Sequence, residues 1–588
     1  MVYKIADNIL SPLGETTEQN YQAVKAGRSA LCRYTDHWHL PEPFTASLFS
    51  EAQWQAMATD GLTPFEALAT ASIRRALKDT AVDPSDHRVV FILSTTKGNV
   101  DQLNQETTED LSPGLSAQKI ARVLGFTTEP IVVCNACISG VSALILAARL
   151  LEAGTYDVAV VCGADVQSRF VVSGFQSFHV VSPEACRPFD MERTGLSLGE
   201  AAATMILSRQ PQPQAWGIAA GAVRNDAFHI SSPAKDGEGA YQALRQVMQG
   251  VSPSQLAFIN AHGTATMFND QMESVAVERA GLTAVPVNGY KGYYGHTMGA
   301  AGVLETILSM AALDDHTILG TKGFEEAGVS GKIRLVAASE TTDKQAFIKM
   351  ISGFGGCNGA LLLFTVDSLL FTDDYTVGGT VGGTEWLASK SSVNCKPSTV
   401  NKALSRVEIT PGKVCVDGRD IPFTGTGKAM LTDLYKRYVG DYPKFYKMDP
   451  LSQLGFIASE LLLQAEGRER FKDCDDRAII LFNHASSIMA DRKYLASIET
   501  PGQFFPSPSL FVYTLPNIVA GELAIRNHYH GETTFCILPE RQDAVMRQVL
   551  EACCQDQTTR SILGGWIDYQ DDAHYVADLT VWEVRGER

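Results

Sequence analysis

Residues 132–140 read VVCNACISG. A β-branched apolar run ends at Asn135-Ala136-Cys137, and after Ser139-Gly140 the chain continues as VSALILAARLLEAG, a helical pattern. A cysteine at such a strand-to-helix corner has two chemical assets. The tight turn exposes its sulfur, and the positive end of the following helix stabilises a thiolate and offers free N–H groups. Small neighbours leave room for an acyl group on the sulfur. The stretch 130–148 carries no charge, yet Asn135, Ser139 and Gly140 sit at its centre and the period changes there. It therefore reads as strand, turn and buried helix, not as a membrane span.

On either side of this corner the same alternation continues. FEALATASIRRALKDT (65–80) has helical spacing, HRVVFILSTT (87–96) is a buried-strand run, LSAQKIARVLGF is helical and YDVAVVCGAD is strand-like. The βα alternation predicts a layered α/β fold. It begins again after about residue 215. Residues 368–400 are rich in Gly, Thr and Ser without a sustained period and read as a linker. In VEITPGKVCVDGRDIPF, the PG and DG pairs signal short hairpins.

An internal repeat appears beyond the linker. DHRVVFILSTT (86–96) resembles DRAIILFNHAS (476–486), and VAVVCGADVQ (158–167) resembles SILGGWIDYQ (561–570). Residues from about 430 to 588 thus read as a second copy of about 60–210. Matching Asp165 to Asp568 sets Ala121 opposite Ala524 and Glu540 opposite Cys137.

The chain has 588 residues, too long for one core. Its net charge is −17, which argues against nucleic-acid or anionic-membrane binding. Twelve cysteines with no signal peptide before them predict a reducing, cytoplasmic setting. No Cys/His cluster reads as a zinc site, so no metal is expected. Cys134, Cys162, Cys357, Cys553 and Cys554 read as buried structural cysteines.

Three further segments raise Cys137 above that background. NAHGTAT (260–266) places His262 just after a strand run, NGYKGYYGHTMGAAG (288–302) places Lys291 and His296 before a small-residue helix, and SGFGGCNG (352–359) is a glycine-rich turn able to aim a backbone N–H.

With SPLGETTEQNYQAVKAGRSAL near the start, CRPFDMERTGLSLGEAAA (186–203) and NDQMES after the first histidine, these motifs resemble the β-ketoacyl-[acyl carrier protein] synthases over about residues 1–367. The resemblance implies a thiolase-like α-β-α-β-α fold, with a nucleophile half at about 1–210 and a histidine half at about 211–367. It implies that Cys137 takes an acyl group from a phosphopantetheine thioester, and that the N–H groups of Cys137 and Phe354 form an oxyanion hole. His262 and His296 would hold the enolate formed when a malonyl thioester loses CO2. Lys291, with Glu273 as its expected partner, would organise the histidines. Thr264 and Thr266 would bind the pantetheine arm, and Phe354 would gate the acyl pocket. No cofactor is implied beyond the carrier's phosphopantetheine, and an acyl carrier protein is the implied partner.

The chain departs from the family pattern at Ser352, where relatives have an aromatic residue, and at Met267-Phe268-Asn269. Residues 47–70 lack Lys and Arg, leaving Lys25, Arg28 and Lys119 as candidate carrier contacts.

Residues 401–588 resemble only the nucleophile half, with Leu538-Pro539-Glu540 at the elbow and no cysteine. Two readings follow. The unit is a degenerate partner similar to chain-length-factor subunits, docked as an intramolecular pseudo-dimer, or Glu540 is itself catalytic, for example in decarboxylation. A homo-oligomer and an aryl-polyene-type pathway also fit. A non-catalytic or decarboxylating partner subunit is the alternative for the whole chain. A thiolase and a cysteine hydrolase are the enzymatic rivals. The first lacks a well-placed second cysteine. The second needs neither two histidines nor a lysine.

Overall fold

The computed structural model describes residues 1–104, 111–210, 215–365, 399–499 and 504–585. The expected linker at 368–400 lies almost wholly outside the described residues. In the first sheet Val89–Ser94 is flanked in parallel by Ile131–Val133 and Val158–Asp165. Ala201–Ser208 and then Val2–Leu10 extend it antiparallel. Both faces are covered. Val90, Ile92 and Val161 enter one core, while their neighbours Val89, Phe91 and Val160 enter another. Two-sided burial is why these strands read as continuous apolar runs.

The second sheet runs Pro286–Asn288, Phe258–Asn260, Ala346–Gly353, Cys357–Thr365, Trp216–Asn225. Helices Ser139–Glu152 and Ala301–Asp314 lie between the two sheets, buried almost throughout. They cross so closely that a Cβ on Gly140 would lie 2.9 Å from the Val303 nitrogen, and one on Gly302 2.5 Å from that of Val141. Only glycine permits that approach. Pro64–Leu77 and Pro113–Leu124 cover the outside of the first sheet, and Glu238–Val247 and Met267–Arg279 cover the second. The layers are α-β-α-β-α, as expected. Among the described residues no helix is long and apolar enough to cross a membrane.

Beyond the linker a third sheet runs Thr533–Ile537, Arg477–Asn483, Ser561–Tyr569, Tyr575–Arg585, Thr399–Thr410. Its order and directions repeat those of the first sheet, including an equivalent of the first strand, Val2–Leu10. The PG and DG turns form the two expected hairpins, Thr399–Thr410 with Lys413–Val416 and the latter with Arg419–Asp420.

One expected register needs correction. Val89 lies opposite Val158, and Arg477 opposite Ser561. With Asp165 matched to Asp568, DHRVVFILSTT therefore matches residues 474–484, not 476–486. The carboxylates agree, since Asp165 accepts from the Thr96 N–H and Asp568 from the His484 N–H. A two-residue slip keeps every side chain on its own face, so alternation in the sequence is blind to it. The preceding helices end alike. The Gly125 N–H bonds Ala121 O and the His528 N–H bonds Ala524 O, each capping residue having a left-handed backbone.

The first and third sheets meet edge to edge, Val133 opposite Cys536 and Val132 opposite Ile537, antiparallel. Buried ion pairs flank this seam: Arg149 with Glu532 at 2.6 Å and Arg224 with Asp556 at 2.9 Å.

Candidate active site

At the end of Ile131–Val133 the chain turns sharply. Ala136 takes a left-handed φ of 48°, and a 3-10 turn, Ala136–Ile138, carries Cys137 into the central helix. The Ser139 hydroxyl clamps the turn, accepting from the Asn135 N–H at 2.8 Å and donating to the Ala136 carbonyl at 2.6 Å. Asn135 Nδ2 donates across the seam to the Thr533 carbonyl at 2.8 Å. Cys137 remains partly exposed. Cys134 stands at C-x-x-C spacing from it but is buried, with its sulfur 3.6 Å from the Thr96 carbonyl, and both are free thiols.

His262 follows the strand Phe258–Asn260. His296 is seated by its own N–H, which bonds Ser197 O at 2.7 Å, after Gly295 turns with φ 69°. Its Nε2 lies 3.0 Å from Cys137 Sγ. The Met298 N–H donates to its Nδ1 at 3.3 Å, so Nδ1 is the acceptor and the ring proton sits on Nε2, facing the sulfur. The two imidazoles stand edge to face, with centroids 5.0 Å apart. Burial first, then the positive charges of Lys291 and Lys349, hold both histidines well below their usual pKa. They are neutral N–H donors at neutral pH.

The expected pairing of Lys291 with Glu273 does not occur. Lys291 Nζ contacts Glu305 Oε1 at 2.8 Å and the His262 carbonyl at 2.7 Å. Glu273 instead accepts from the backbone N–H groups of His262 and Gly263 at 2.6 and 2.8 Å, shaping the loop that presents the imidazole. A second buried lysine completes the cluster. Lys349 Nζ binds the other Glu305 oxygen and Asn260 Oδ1. Burial, and then the Lys291 charge against the attraction of Glu305, bring the Lys349 ammonium down to about 8. Glu305 lies below its usual range because its two lysines outweigh its burial. Neither Glu305 nor Lys349 was among the sequence candidates. Each stands out in sequence only as a lone charge in an apolar segment, AGVLETILSMAAL and AFIKMISG.

Burial pushes the Cys137 thiol up to about 12, opposed by the Lys291 charge and by the nearby backbone N–H groups of Cys137 and Phe354. The glycine turn thus brings Phe354 to the elbow. A Cβ on Gly353 would lie 3.2 Å from the Cys137 nitrogen. The Phe354 ring packs near Phe175 and Phe178. Ser352 donates to Asn358 at 2.7 Å. Thr264 is buried and its hydroxyl is 2.8 Å from that of the partly exposed Thr266.

Cys137, His262 and His296 present their donor atoms within 4.8 Å of one another. A soft cation bound there would occupy the sulfur and both imidazoles at once, so it would compete with any chemistry at the cysteine. Of the candidate carrier contacts, Lys25 pairs with Asp315 and Lys119 lies 3.6 Å from Glu66, while Arg28 is exposed. Glu540 is exposed, and the backbone before it is pressed by Gly114, whose Cβ would lie 2.7 Å from the Leu538 carbonyl carbon.

Residues 5–212 match the family profile described as β-ketoacyl synthase, N-terminal domain, and residues 217–325 its C-terminal domain. A curated relative, 3-oxoacyl-[acyl-carrier-protein] synthase 2 of Rhizobium meliloti, is 34% identical over 251 residues, 39% of this chain and 59% of that protein. The protein of the same name from Vibrio cholerae is 25% identical over 398 residues, 60% of this chain and 96% of its own length. Among solved structures, a ketosynthase (ApeO) in complex with its chain length factor (ApeC) from Xenorhabdus doucetiae superposes with TM-score 0.52 and 27% identity, covering 62% of this chain and 98% of that one. A PfaC keto synthase–chain length factor covers 99% of this chain and 78% of its own, with TM-score 0.74 and 14% identity, a likeness of fold alone.

Proposed function

The chain belongs to the β-ketoacyl synthase family, and from that premise we propose how its residues carry out a decarboxylative Claisen condensation on carrier-bound thioesters. The observation that carries the reading is the Cys137 sulfur 3.0 Å from a neutral His296 Nε2, with His262 beside it and the glycine turn before Phe354 packed against the Cys137 nitrogen.

Cys137 Sγ attacks the carbonyl of an acyl thioester on the phosphopantetheine of an acyl carrier protein. The oxyanion forms against the N–H groups of Cys137 and Phe354. The carrier's thiol leaves with the proton that the cysteine gives up, and an acyl-cysteine remains. A malonyl thioester then loses CO2. The electron pair of the broken C–C bond moves to the thioester oxygen, which accepts hydrogen bonds from His262 and His296. That enolate attacks the acyl-cysteine carbonyl and breaks its C–S bond, giving a β-ketoacyl thioester two carbons longer and a Cys137 thiolate that takes a proton from solvent. Neutral imidazoles suit this role, because a donor that surrendered its proton would end the reaction early. Thr264 and Thr266 line the approach for the pantetheine arm, and no cofactor takes part beyond that arm.

For residues 401–588 we propose a degenerate half-synthase, docked as an intramolecular pseudo-dimer and similar in role to a chain length factor. The strand pairing of Val133 with Cys536 and the repeated strand order support this. The exposed Glu540 supports a polar replacement at its elbow over a catalytic group. The free thiols of the described cysteines are consistent with a cytoplasmic setting.

The test is intact-protein mass spectrometry after incubation with a short acyl carrier thioester, then peptide mapping. An acyl mass on Cys137 supports the reading. A folded protein that takes no acyl group from several donors would leave the decarboxylating or partner reading in its place.

A further inference from the structure

The turn that carries the Phe354 N–H is held from across the seam. Asn517 immediately precedes the helix Ile518–Asn527 and occupies its N-cap position. An asparagine cap with extended backbone accepts a hydrogen bond from its own helix, but the Asn517 backbone is already helical, with φ −65° and ψ −11°. Asn517 makes no such bond. It is 3% exposed, and its Nδ2 donates instead to the Phe354 carbonyl at 2.9 Å. Its Oδ1 has no hydrogen-bond partner among the described residues. The buried amide is thus directed at the glycine turn, with Nδ2 on Phe354 O and 3.8 Å from Cys357 Sγ.

The peptide it holds is pinned at both ends. The Gly355 N–H bonds the Ile230 carbonyl at 2.7 Å, while the carbonyl side of the same peptide, Phe354 O, receives Asn517. The next carbonyl, Gly355 O, receives Asn225 Nδ2 at 2.9 Å. Asn225 is in turn fixed by the C-terminal unit, its N–H on His530 O at 3.1 Å and its carbonyl 3.2 Å from His530 Nδ1. Gly521, one turn along from Asn517, lets the helix touch the loop. A Cβ there would lie 2.7 Å from Gly355 O. The Phe354 carbonyl also lies 3.2 Å from Cys357 Sγ, and its anchoring restrains the Phe354 N–H at one remove, through the Cα that joins the two peptides.

The repeat supplies a control. At the register that matches Asp165 to Asp568, Asn517 stands opposite Gly114. Gly114 faces Leu538-Pro539 of the degenerate elbow, where there is no oxyanion loop to hold. The amide is present on the side that has a nucleophile and absent on the side that does not.

We infer that Asn517 is a positioning residue of the oxyanion hole, contributed by the C-terminal unit, which keeps the Phe354 N–H aimed at the reacting carbonyl. The inference rests on the proposed acyl transfer to Cys137. It makes the C-terminal unit part of the active site, not only a cover for the sheet edge.

The experiment uses the full chain with Asn517→Ala, Asn517→Asp and Gly521→Ala, following acyl transfer from a short acyl carrier thioester by mass and, separately, alkylation of Cys137 by iodoacetamide across pH. For Asn517→Ala the expected result is a fall of about tenfold in the transfer rate at saturating donor, with KM for the donor nearly unchanged. Asn517→Asp is the internal control. Its protonated carboxyl can donate to Phe354 O and its ionised form repels it. Its transfer rate should match the wild type at low pH and fall as pH rises, a limb that neither the wild type nor Asn517→Ala shows. A merely structural residue would not create that limb. Gly521→Ala should lower the rate by displacing the loop. Folded Asn517→Ala and Asn517→Asp proteins with wild-type rates at every pH would overturn the inference. If the wild type itself forms no acyl-enzyme, the condensation reading fails, and alkylation still decides the role of Asn517. Slower alkylation of Cys137 in Asn517→Ala supports it, because the thiolate has lost a donor, and equal rates refute it.

Discussion

Glu305 is the point on which the charges behind the histidines balance, and Glu305→Gln shows what that balance is worth. Its side chain is 3% exposed and lies between two lysine side chains that are 0% exposed. At an effective dielectric near 20, one contact at the 2.8 Å seen for Lys291 is worth about 6 kcal/mol before desolvation. Most of that is offset by the burial of three charges. Removing the carboxylate's charge nevertheless strands two buried cations, and breaking such an arrangement costs about 3–5 kcal/mol. Glu305→Gln should therefore lower the melting temperature of this 588-residue chain by about 2–4 °C. Lys291 also holds the His262 carbonyl at 2.7 Å. Its displacement should move the imidazole and slow condensation about a hundredfold, the usual effect of a misplacement near 1 Å. Acylation of Cys137, which does not use the enolate donors, should fall much less. The assay pairs thermal melting with separate rates for acyl transfer and for carbon–carbon bond formation. Glu305→Gln/Lys349→Met, with one cation fewer, should recover part of the stability. A Glu305→Gln protein that melts where the wild type melts and condenses at the wild-type rate would show that Glu305 does not balance the two lysines.

Cys137→Ala should abolish acyl-enzyme formation in the mass assay, and residues 401–588 expressed alone should take no acyl group. The two depressed histidines make stability depend on pH in a defined direction. As pH falls through their ordinary value of 6.5, the unfolded chain binds protons that the folded protein does not, so stability must fall. Denaturant titrations of His262→Asn/His296→Asn should show a shallower slope in that range. Asp556 is held below its ordinary carboxylate range by Arg224 and Arg149, against its burial. Its stabilisation is present above the unfolded carboxylate pKa and is lost as pH falls through the depressed one. Asp556→Ala, which takes the carboxylate from buried Arg224 while Arg149 keeps Glu532, should destabilise the chain by about 3–5 kcal/mol and expose it to proteolysis.

What depends on near neighbours was legible before any folding. The strand, the turn and the buried helix around Cys137 follow from side chains within a few residues, as do the glycine turn before Phe354 and the hairpins at PG and DG. The layered fold was legible because strands buried on both faces read as apolar runs. The resemblance to the synthases named Cys137, His262, His296 and Lys291 as one set, and the fold brings those four together. Which charges pair depends on long-range packing. Glu273 and Glu305 are both glutamates on helices near the histidines in sequence, and nothing local distinguishes them. The packing of Ala301–Asp314 against the second sheet places Glu305 between two lysines, while Glu273 meets two backbone N–H groups and the Asn269 amide. The two-residue slip in the repeat was invisible for a related reason: strand periodicity records which face a residue takes, not which residue stands opposite it. Asn517 lies 163 residues from Phe354, and its side chain looks in sequence like an ordinary helix cap. Its other partner became apparent only when the two sheets met edge to edge.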